Sequence, residues 1–351
     1  MPNYISRIAI MPTSENTVIT EKRNMTSELR DAARAKFFSI FIRGRNLVLA
    51  KIMLPIVGYQ QKKNGNIFAV NINSQVGFCA NLEWCLEIFM HCETNNLTPY
   101  IQLTGSNYGS PQRGKDYFAY FFENIKLSEE DKFKIKNKKI RISKISHISQ
   151  LGLPENYDLK LTISNAAGLI AKYIRIKEDV IDEVNSFCAA YFGNHVLGLH
   201  YRGTDKKEEA PRVDWEKVTR NVQYYLKNSS QTDCVFISSD EIDFIHYIEK
   251  RLNHEFPRMS VIYRNDRYRS HNRRSLHLRF GGDNYHKGRD ALVNCLLLSR
   301  CDVLMKTASI LSAWSKLFNP ELPVIMLNEP PKKHLWFPER EIVKQTLYDA
   351  I

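Results

Sequence analysis

The segment VLGLHYRGTDKKEEA, residues 196–210, places polar side chains directly after a short apolar run. A run of this kind followed by a charged turn is typical of a buried parallel strand, so His200 and Arg202 are predicted to share one face at its carboxyl end. The guanidinium of Arg202 can donate two parallel hydrogen bonds to a diphosphate, Gly203 permits close approach to the backbone, and Lys206 adds a second cation. The alternative is an arginine in a surface turn that pairs with a nearby acid. The segment alone leaves both interpretations open.

Strands and helices alternate along most of the chain, which predicts an α/β protein with parallel sheets covered on both faces. The first unit is a strand at 67–74, a helix at 80–96 and a strand at 98–104. The second half begins with a helix at 178–192, and its further elements are predicted at 196–201, 219–228, 234–240, 244–252, 260–264, 291–301, 302–306 and 323–327. We expect two Rossmann-like domains, residues 1–178 and 179–351, which face a central cleft.

The 351-residue chain has a net charge of +12, with 50 lysines and arginines against 38 aspartates and glutamates. This charge favours a negatively charged partner, such as nucleic acid, an anionic membrane surface or a phosphate-bearing substrate. No apolar stretch reaches the roughly 18–20 residues that cross a bilayer, and no signal peptide is recognisable. We therefore expect a soluble, cytoplasmic protein, with peripheral contact at the inner membrane face as a further possibility.

Seven cysteines are scattered along the chain, mostly inside apolar runs, and none forms a CxxC pair. An odd number of cysteines without a secretion signal favours reduced, buried thiols. A structural zinc site is not expected.

Four blocks of the sequence resemble motifs of the α-1,6-fucosyltransferase and nodulation fucosyltransferase superfamily, in order and in spacing, over residues 70–330. The family's HxRRTDK-type motif is similar to HYRGTDK at 200–206, and its strand ending in a Ser/Thr-Asp pair is similar to CVFISSDE at 234–241. Its glycine turn and helix resemble VGFCANLEWCLEIF at 76–89. Its late LS-x-x-D and TxS motif resembles ALVNCLLLSRCDVLMKTASILSAWSKLFNP at 291–320.

The resemblance implies a GT-B fold, GDP-fucose as donor, and an inverting transfer without a bound metal. The chain contains no DxD motif, the pattern that holds Mg²⁺ against a diphosphate, which agrees with the last point. Cationic side chains would then stabilise the leaving group.

The resemblance also implies catalytic roles. Arg202 matches the family's essential arginine, with Lys206 behind it, while Gly203 stands where the family has a second arginine. An inverting transfer needs a base for the acceptor hydroxyl, and Glu208 or Glu209 is the candidate if the loop shifts slightly relative to the family. Two glutamates beside two lysines are, alternatively, a solvated charge cluster.

Donor contacts are implied at three further positions of the second half. Asn294 stands where the family has an aspartate that accepts from guanine, and an amide can still pair with guanine in one orientation. Thr307 and Ser309 match hydroxyls that contact phosphate. Asp240 matches an acid at a strand end, but SSDEIDFI is a good helix start and favours an N-cap role.

The first half is expected to contribute Gly77 and Asn81. A glycine before a helix N-terminus lets backbone N–H groups face an anion, and Asn81 matches a family amide near the reaction centre. A plain turn between a strand and a helix is the alternative for both residues.

A competing hypothesis comes from the basic stretches. The run RNDRYRSHNRRSLHLR at 264–279 is typical of single-stranded nucleic-acid binding, although a basic lid over a diphosphate also accounts for it. A helix predicted at 26–50 is expected to pack on a domain or, alternatively, to lie on an anionic membrane. The favoured function is an inverting, metal-independent transfer of fucose from GDP-fucose to a glycan or protein acceptor. The alternatives are another nucleotide-sugar donor, suggested by Gly203 and Asn294, or a basic RNA- or membrane-binding protein, with nucleic acid the less expected partner.

Overall fold

The computed structural model describes residues 64–345 except 138, 204–209, 268, 271–282, 329 and 332–334. The predicted helix at 26–50, most of the basic run, and the candidates Lys206, Glu208 and Glu209 lie outside the described residues. Within them, two parallel sheets lie on either side of one cleft. The predicted α/β class with the GT-B arrangement is thereby confirmed, while the boundary at residue 178 stays a prediction.

The first sheet has three parallel strands, β1 (Ile67–Ile72), β2 (Thr98–Leu103) and β3 (Ser143–Ile145), in the order β2-β1-β3. The central strand β1, IFAVNI, is buried at five of its six positions, as expected of a strand covered on both faces. The chain passes from β1 to one neighbour and later returns to the other side. The carboxyl end of β1 is therefore a point where the connections diverge.

The second sheet has five parallel strands in the order β6-β5-β4-β7-β8. They are β4 (Val196–Tyr201), β5 (Cys234–Ser239), β6 (Ser260–Tyr263), β7 (Val303–Lys306) and β8 (Val324–Met326). Every residue of β4 is buried. Because the chain runs outward from β4 to β6 and then crosses back to β7, the switch point lies between β4 and β7, where open α/β sheets bind ligands.

Eleven α-helices are described. They are α1 (Phe78–Thr94), α2 (Phe118–Phe121), α3 (Glu129–Lys136), α4 (Tyr157–Lys160), α5 (Ile163–Tyr173), α6 (Glu178–Tyr191), α7 (Trp215–Asn228), α8 (Ile242–Glu255), α9 (Tyr285–Ser299), α10 (Ile310–Phe318) and α11 (Glu339–Gln345). The helices predicted from the sequence in this part of the chain are confirmed, with shifted ends. Helix α5 was not predicted, although Thr162 and Asn165 form a capping box at its start.

One hydrophobic core runs through both halves of the molecule. Helix α9 of the second half packs on the first, where the rings of Phe121 and Tyr285 stack with centroids 5.3 Å apart. Gly288 makes this approach possible, because a Cβ there would lie 2.8 Å from the ring of Phe121. The helices thus fix the two sheets against each other around the cleft.

Helix α11 makes a second connection between the halves, through charged residues. The Glu339 carboxylate lies 2.5 Å from the Lys306 ammonium at the end of β7 and also accepts from the Ser309 backbone N–H at 2.6 Å. The next residue, Arg340, donates to the Asp158 carboxylate at 2.8 Å and to the Asp158 carbonyl at 2.7 Å. The C-terminal helix is therefore bonded to both halves.

All seven cysteines are unpaired thiols, and six of them are buried. The cysteines accordingly contribute to packing rather than to cross-links.

Of the helices in the described ranges, none combines the length and the apolar character needed to cross a membrane.

Replacement of Glu339 by alanine is expected to lower the free energy of unfolding by about 3 kcal/mol or more, because it removes the carboxylate bonded to a fully buried lysine. The matched control is Lys344→Ala on the same helix, an exposed residue paired only at the surface with Glu341, with an expected cost of about 1 kcal/mol or less. Urea denaturation measures both. Equal losses in the two variants would contradict a structural role for the buried pair.

Candidate active site

A cleft of about 770 Å³ opens between the two sheets. Its lining comes from the segments that follow β1, β4, β5, β6 and β7, with Tyr108, helix α9, segment 147–158 and Trp336 completing it. The carboxyl ends of the strands therefore meet at this cleft, at both points where the connections diverge. Among the described residues that line it are Gly77, His200, Arg202, Asn294 and Ser309, all of which were predicted to bind the donor.

Arg202 is held from behind by two residues of neighbouring strand ends. Its backbone N–H donates to the Thr307 hydroxyl at 2.8 Å, and its Nε lies 3.8 Å from a carboxylate oxygen of Asp240. Asp240 also accepts from the backbone N–H of Gly203 at 3.4 Å. The predicted N-cap role of Asp240 is wrong, because Glu241 occupies the N-cap of α8 and no side chain caps that helix.

His200 lies beside Arg202 as a neutral imidazole. Burial, and then the charges of Lys306 and Arg202, hold its pKa well below the usual range. Its Nδ1 is buried and finds no hydrogen-bond partner among the residues that the structure describes. The ring lines the cleft, so it offers a ligand one hydrogen bond without adding a charge.

Gly203 does not line the cleft. A Cβ built on it would lie 2.5 Å from the carboxylate of Glu241, a residue that is 3% exposed and 3.5 Å from Arg212. The space beside residue 203 is therefore filled by an acid, whereas the resemblance puts a second arginine at this position.

Two helix N-termini open on the cleft. Residues 76–80, at the start of α1, line it from the first half, and residues 309–311, at the start of α10, line it from the second. The backbone N–H groups of a helix's first turn lack acceptors within the helix and carry a partial positive charge. The two ends therefore face the same volume with a preference for an anion.

Asn81 and Thr307 hold the site's backbone and are not among the residues that line the cleft. The Asn81 side chain accepts from the Ser74 hydroxyl at 2.8 Å and donates to the carbonyls of Val76 and Gly77 at 3.3 Å. Thr307, 2% exposed, accepts from the Arg202 backbone. Both side chains therefore position the backbone around the cleft, and the direct donor contacts expected of them stay predictions.

Asn294 lies in the cleft beside two aspartates that were not predicted. Its amide N–H₂ donates to the Asp266 carboxylate and to the Asp290 carbonyl, both at 2.9 Å. Its Oδ1 and the Oδ2 of Asp290 are buried and have no hydrogen-bond partner among the described residues. Burial, followed by the charge of Asp266, raises the pKa of Asp290 to about 6. Two acceptor atoms are thus available to a ligand here.

The cleft lining from the first half of the chain also carries carboxyl groups. Glu83 and Glu87, 7% and 8% exposed, lie one turn apart on α1 and near Asp158. Burial, followed by the charge of Asp158, raises the pKa of Glu83 well above its ordinary value and that of Glu87 to about 7. With a pKa of about 7, the carboxyl of Glu87 is ionised only in part at neutral pH.

Sequence reasoning missed Glu83, Glu87, Asp266, Lys287 and Asp290 as cleft residues. A signal was present for the first two, since acids at i and i+4 interrupt the apolar face of a predicted helix. No local signal marked the other three, which face the cleft only because α9 and the segment after β6 fold onto it.

Neither a protein-family model nor a curated protein matches this chain. The chain is similar to solved structures of POFUT1 and NodZ. POFUT1 in complex with GDP shares 10% identity at a TM-score of 0.47, over 74% of this chain and 98% of that one. NodZ alpha-1,6-fucosyltransferase soaked with GDP-fucose shares 13% identity at a TM-score of 0.43, over 72% of this chain and 92% of that one. Fucosyltransferase NodZ from Bradyrhizobium shares 13% identity at a TM-score of 0.42, over 72% of this chain and 93% of that one. With TM-scores below 0.5, these similarities establish neither a donor nor a reaction for this chain.

Glu87→Gln is expected to stabilise the protein more at pH 8 than at pH 5. A carboxyl whose pKa rises from 4.5 to about 7 on folding stabilises the fold below its unfolded pKa, and this stability is lost as the pH rises through 7. Between pH 5 and pH 8 the free energy of unfolding of the wild type falls by on the order of 2 kcal/mol through this carboxyl. Glutamine does not titrate, so the variant does not show this fall. Denaturant titration at both pH values measures the difference. Glu93→Gln on the same helix, paired with Lys172 outside the cleft, should show no such gain.

Proposed function

We propose that this protein is an inverting, metal-independent glycosyltransferase that takes fucose from GDP-fucose. The observation that carries the proposal is the convergence of Arg202, the neutral His200 and two helix N-termini on one cleft at the switch point between β4 and β7. This combination suits a diphosphate. The motif resemblance of residues 200–206 supports a nucleoside-diphosphate-fucose donor.

In the proposed reaction, an acceptor oxygen attacks the anomeric carbon from the face opposite the diphosphate. The bond between that carbon and the phosphate oxygen breaks, and GDP leaves with the electron pair. Arg202 stabilises the charge that develops on the leaving oxygen, and the first turns of α1 and α10 add backbone donors. The proton of the acceptor hydroxyl goes to a base, for which Glu208 and Glu209 stay the predicted candidates.

Guanine recognition is proposed for the acceptors around Asn294. Guanine presents N1–H and N2–H₂ on one edge, and two acceptor atoms side by side can bind both. The Asn294 Oδ1 and the Asp290 carboxylate provide such atoms at one end of the cleft. The charge that the amide at 294 lacks is thereby available from the residue one helical turn before it.

Binding of a polyanion is not favoured by the described part of the cleft. Its lining includes the acids Glu83, Glu87, Asp158, Asp240, Asp266 and Asp290, but only Arg202 and Lys287 as cations among the described residues. A long anionic polymer would meet repulsion along most of this surface, whereas a diphosphate is short enough to contact Arg202 and the helix N-termini alone. The acceptor is proposed to be a glycan or protein, and the cytoplasmic location stays a prediction.

The proposal is tested by calorimetric titration with GDP, UDP, ADP and CDP in the presence of EDTA. We expect GDP to bind in preference, and Arg202→Ala to weaken binding by about 10- to 100-fold, the effect of losing a hydrogen bond to a charged group. Arg220→Ala, an exposed arginine of α7 outside the cleft, is the matched control. Preference for another nucleotide would contradict GDP-fucose as the donor. If no nucleotide binds, the proposed glycosyltransferase activity is refuted.

Asp290→Asn is expected to reduce the affinity for GDP by about tenfold or more, because the N–H groups of guanine lose a charged acceptor. Inosine diphosphate lacks the N2 amine of guanine. If the Asp290 carboxylate binds that amine, Asp290→Asn should therefore weaken the binding of inosine diphosphate less than that of GDP. The pKa of about 6 for Asp290 further predicts that GDP affinity of the wild type falls as the pH drops through 6. Calorimetry with both nucleotides at several pH values measures these effects. Equal losses for ADP and GDP in the variant would contradict base recognition by Asp290.

A further inference from the structure

The positive charge of the chain does not lie in the cleft, whose described lining contains more acids than cations. Part of it lies in one short run of the first half, KFKIKNKKIRISK, residues 132–144. This run contains six lysines and one arginine and no acid. It spans most of helix α3, the connection to β3 and the first two residues of that strand. Its exposed residues are called the basic face below, namely Lys132, Phe133, Lys136, Lys139, Arg141 and Lys144.

Helix α3 turns one side toward the protein and the other toward solvent. Asp131, which is 5% exposed, and Ile135, one turn later, form the inward side, and Ile135 packs in a cluster with two residues of β1. Lys132, Phe133 and Lys136 face away from that side and are exposed. The apolar contact of Ile135 therefore fixes which residues of the helix meet solvent.

The segment that follows α3 repeats this arrangement. Ile140 and Ile142 pack in the same cluster as Ile135. The described cations of the segment are exposed, namely Lys139, Arg141 and Lys144. Because the apolar sides of the helix and of the segment meet in one cluster, their charged sides form adjoining parts of one surface.

Acids neutralise only the helical part of the basic run. Two pairs at 2.6 Å bind Lys132 and Lys134 to glutamates in the first turn of α3. Among the described acids, none forms a salt bridge with Lys136, Lys139 or Lys144. The basic face therefore keeps an excess of positive charge, which attracts a negatively charged surface.

Phe133 adds an apolar group among these cations. The side chain is 57% exposed, and the Lys139 ammonium lies 5.2 Å from the centroid of its ring. An exposed aromatic residue among lysines suits the interface of a bilayer, where the ring enters the headgroup region and the cations meet lipid phosphates. A nucleic acid that binds by stacking needs several free ring faces. The run has this single aromatic residue, and Lys139 lies over one face of its ring. A bilayer therefore fits the basic face better.

The basic face adjoins the cleft. Strand β3 leads into His147, which lines the cleft and follows Lys144 by three residues, a span of about 10 Å. A surface bound at the basic face would consequently lie beside the cleft.

We propose that the basic face docks this protein onto a bilayer that contains anionic phospholipid. Lys136, Lys139 and Lys144 bind the lipid phosphates, and Phe133 inserts at the level of the headgroups. The inference concerns a surface outside the cleft and does not depend on the proposed function.

The proposal is tested by co-sedimentation of the full-length protein with large vesicles. One set contains phosphatidylcholine alone, and the other contains phosphatidylcholine and the anionic phosphatidylglycerol at a ratio of about 2 to 1. We expect the anionic vesicles to bind at least about tenfold more tightly, and this preference to fall when the salt is raised from about 0.1 M to about 0.5 M. Equal affinity for the two sets, or no binding to the anionic vesicles, would overturn the proposal.

Variants of the basic face assign the binding to named residues. Lys136→Gln, Lys139→Gln and Lys144→Gln, combined in one variant, should weaken binding to the anionic vesicles by about 100-fold, which is about fivefold for each lysine. Phe133→Ala alone should weaken it by about fivefold, because the inserted ring is lost.

The matched control removes the same charge elsewhere. It combines Lys217→Gln, Lys227→Gln and Lys250→Gln, at three exposed lysines of α7 and α8, and should weaken binding by less than about threefold. Equal weakening in the two triple variants would show that the net charge of the chain, and not the basic face, governs binding. That result would overturn the proposal.

Nucleic acid is the other polyanion that a cationic surface attracts, so a labelled single-stranded RNA is titrated in parallel. Binding of RNA that the triple variant of the basic face loses, without binding of vesicles by the wild type, would overturn the proposal in favour of nucleic acid. Urea denaturation checks that each variant is folded like the wild type. None of these measurements uses a nucleotide or a sugar, so failure of the proposed function would leave their outcome unaffected.

Discussion

Two consecutive residues of helix α11, Glu339 and Arg340, connect the two halves of the cleft through ion pairs of opposite polarity. Glu339 neutralises the buried Lys306 at the end of β7 and fixes the backbone of Ser309, while Arg340 fixes Asp158 in the first half. A buried charge is costly without its partner, so α11 has few alternative positions that satisfy both pairs. The start of α10 and the position of Asp158 in the cleft are therefore set by the same seven-residue helix.

The charge of the whole chain does not describe the charge of the cleft. The chain carries an excess of 12 positive charges, yet the described lining of the cleft contains more carboxyl groups than cations. Of the two cations, Arg202 follows β4 and lies 3.8 Å from Asp240, and Lys287 lies on α9. Local pairing, and not the net charge of the chain, therefore determines the electrostatics of the cleft.

The sequence predicted the strands well because most of them are short apolar runs that are buried on both faces. Strands β1, β4 and β5 begin and end within two residues of their predicted limits, and the prediction that His200 and Arg202 lie at a ligand-binding edge follows from that. Asp240 was misjudged for a physical reason. The local sequence around Asp240 is compatible with a helix cap and with an ion pair. The partner that decides between them, Arg202, lies 38 residues earlier in the chain, directly after strand β4.

The carboxyl groups of α1 show a different limit of prediction from the sequence. The spacing of Glu83 and Glu87 was visible, but acids at i and i+4 are usually on a solvated face of a helix. Their burial depends on Asp158 and on the return of Arg340 from the far end of the chain, which no local pattern encodes. Long-range contacts of this kind determine the pKa values and therefore the chemistry, while local periodicity determines only that a helix forms.

The two departures from the fucosyltransferase motifs have electrostatic explanations within this structure. At 203, the place of a larger side chain is taken by Glu241, which pairs with Arg212. At 294, an aspartate would add a third carboxylate beside Asp266 and Asp290, whose burial already raises their pKa values. The amide of Asn294 instead donates to Asp266, and its oxygen has no hydrogen-bond partner among the described residues. Each substitution therefore fits its neighbours, so neither by itself requires a change of nucleotide.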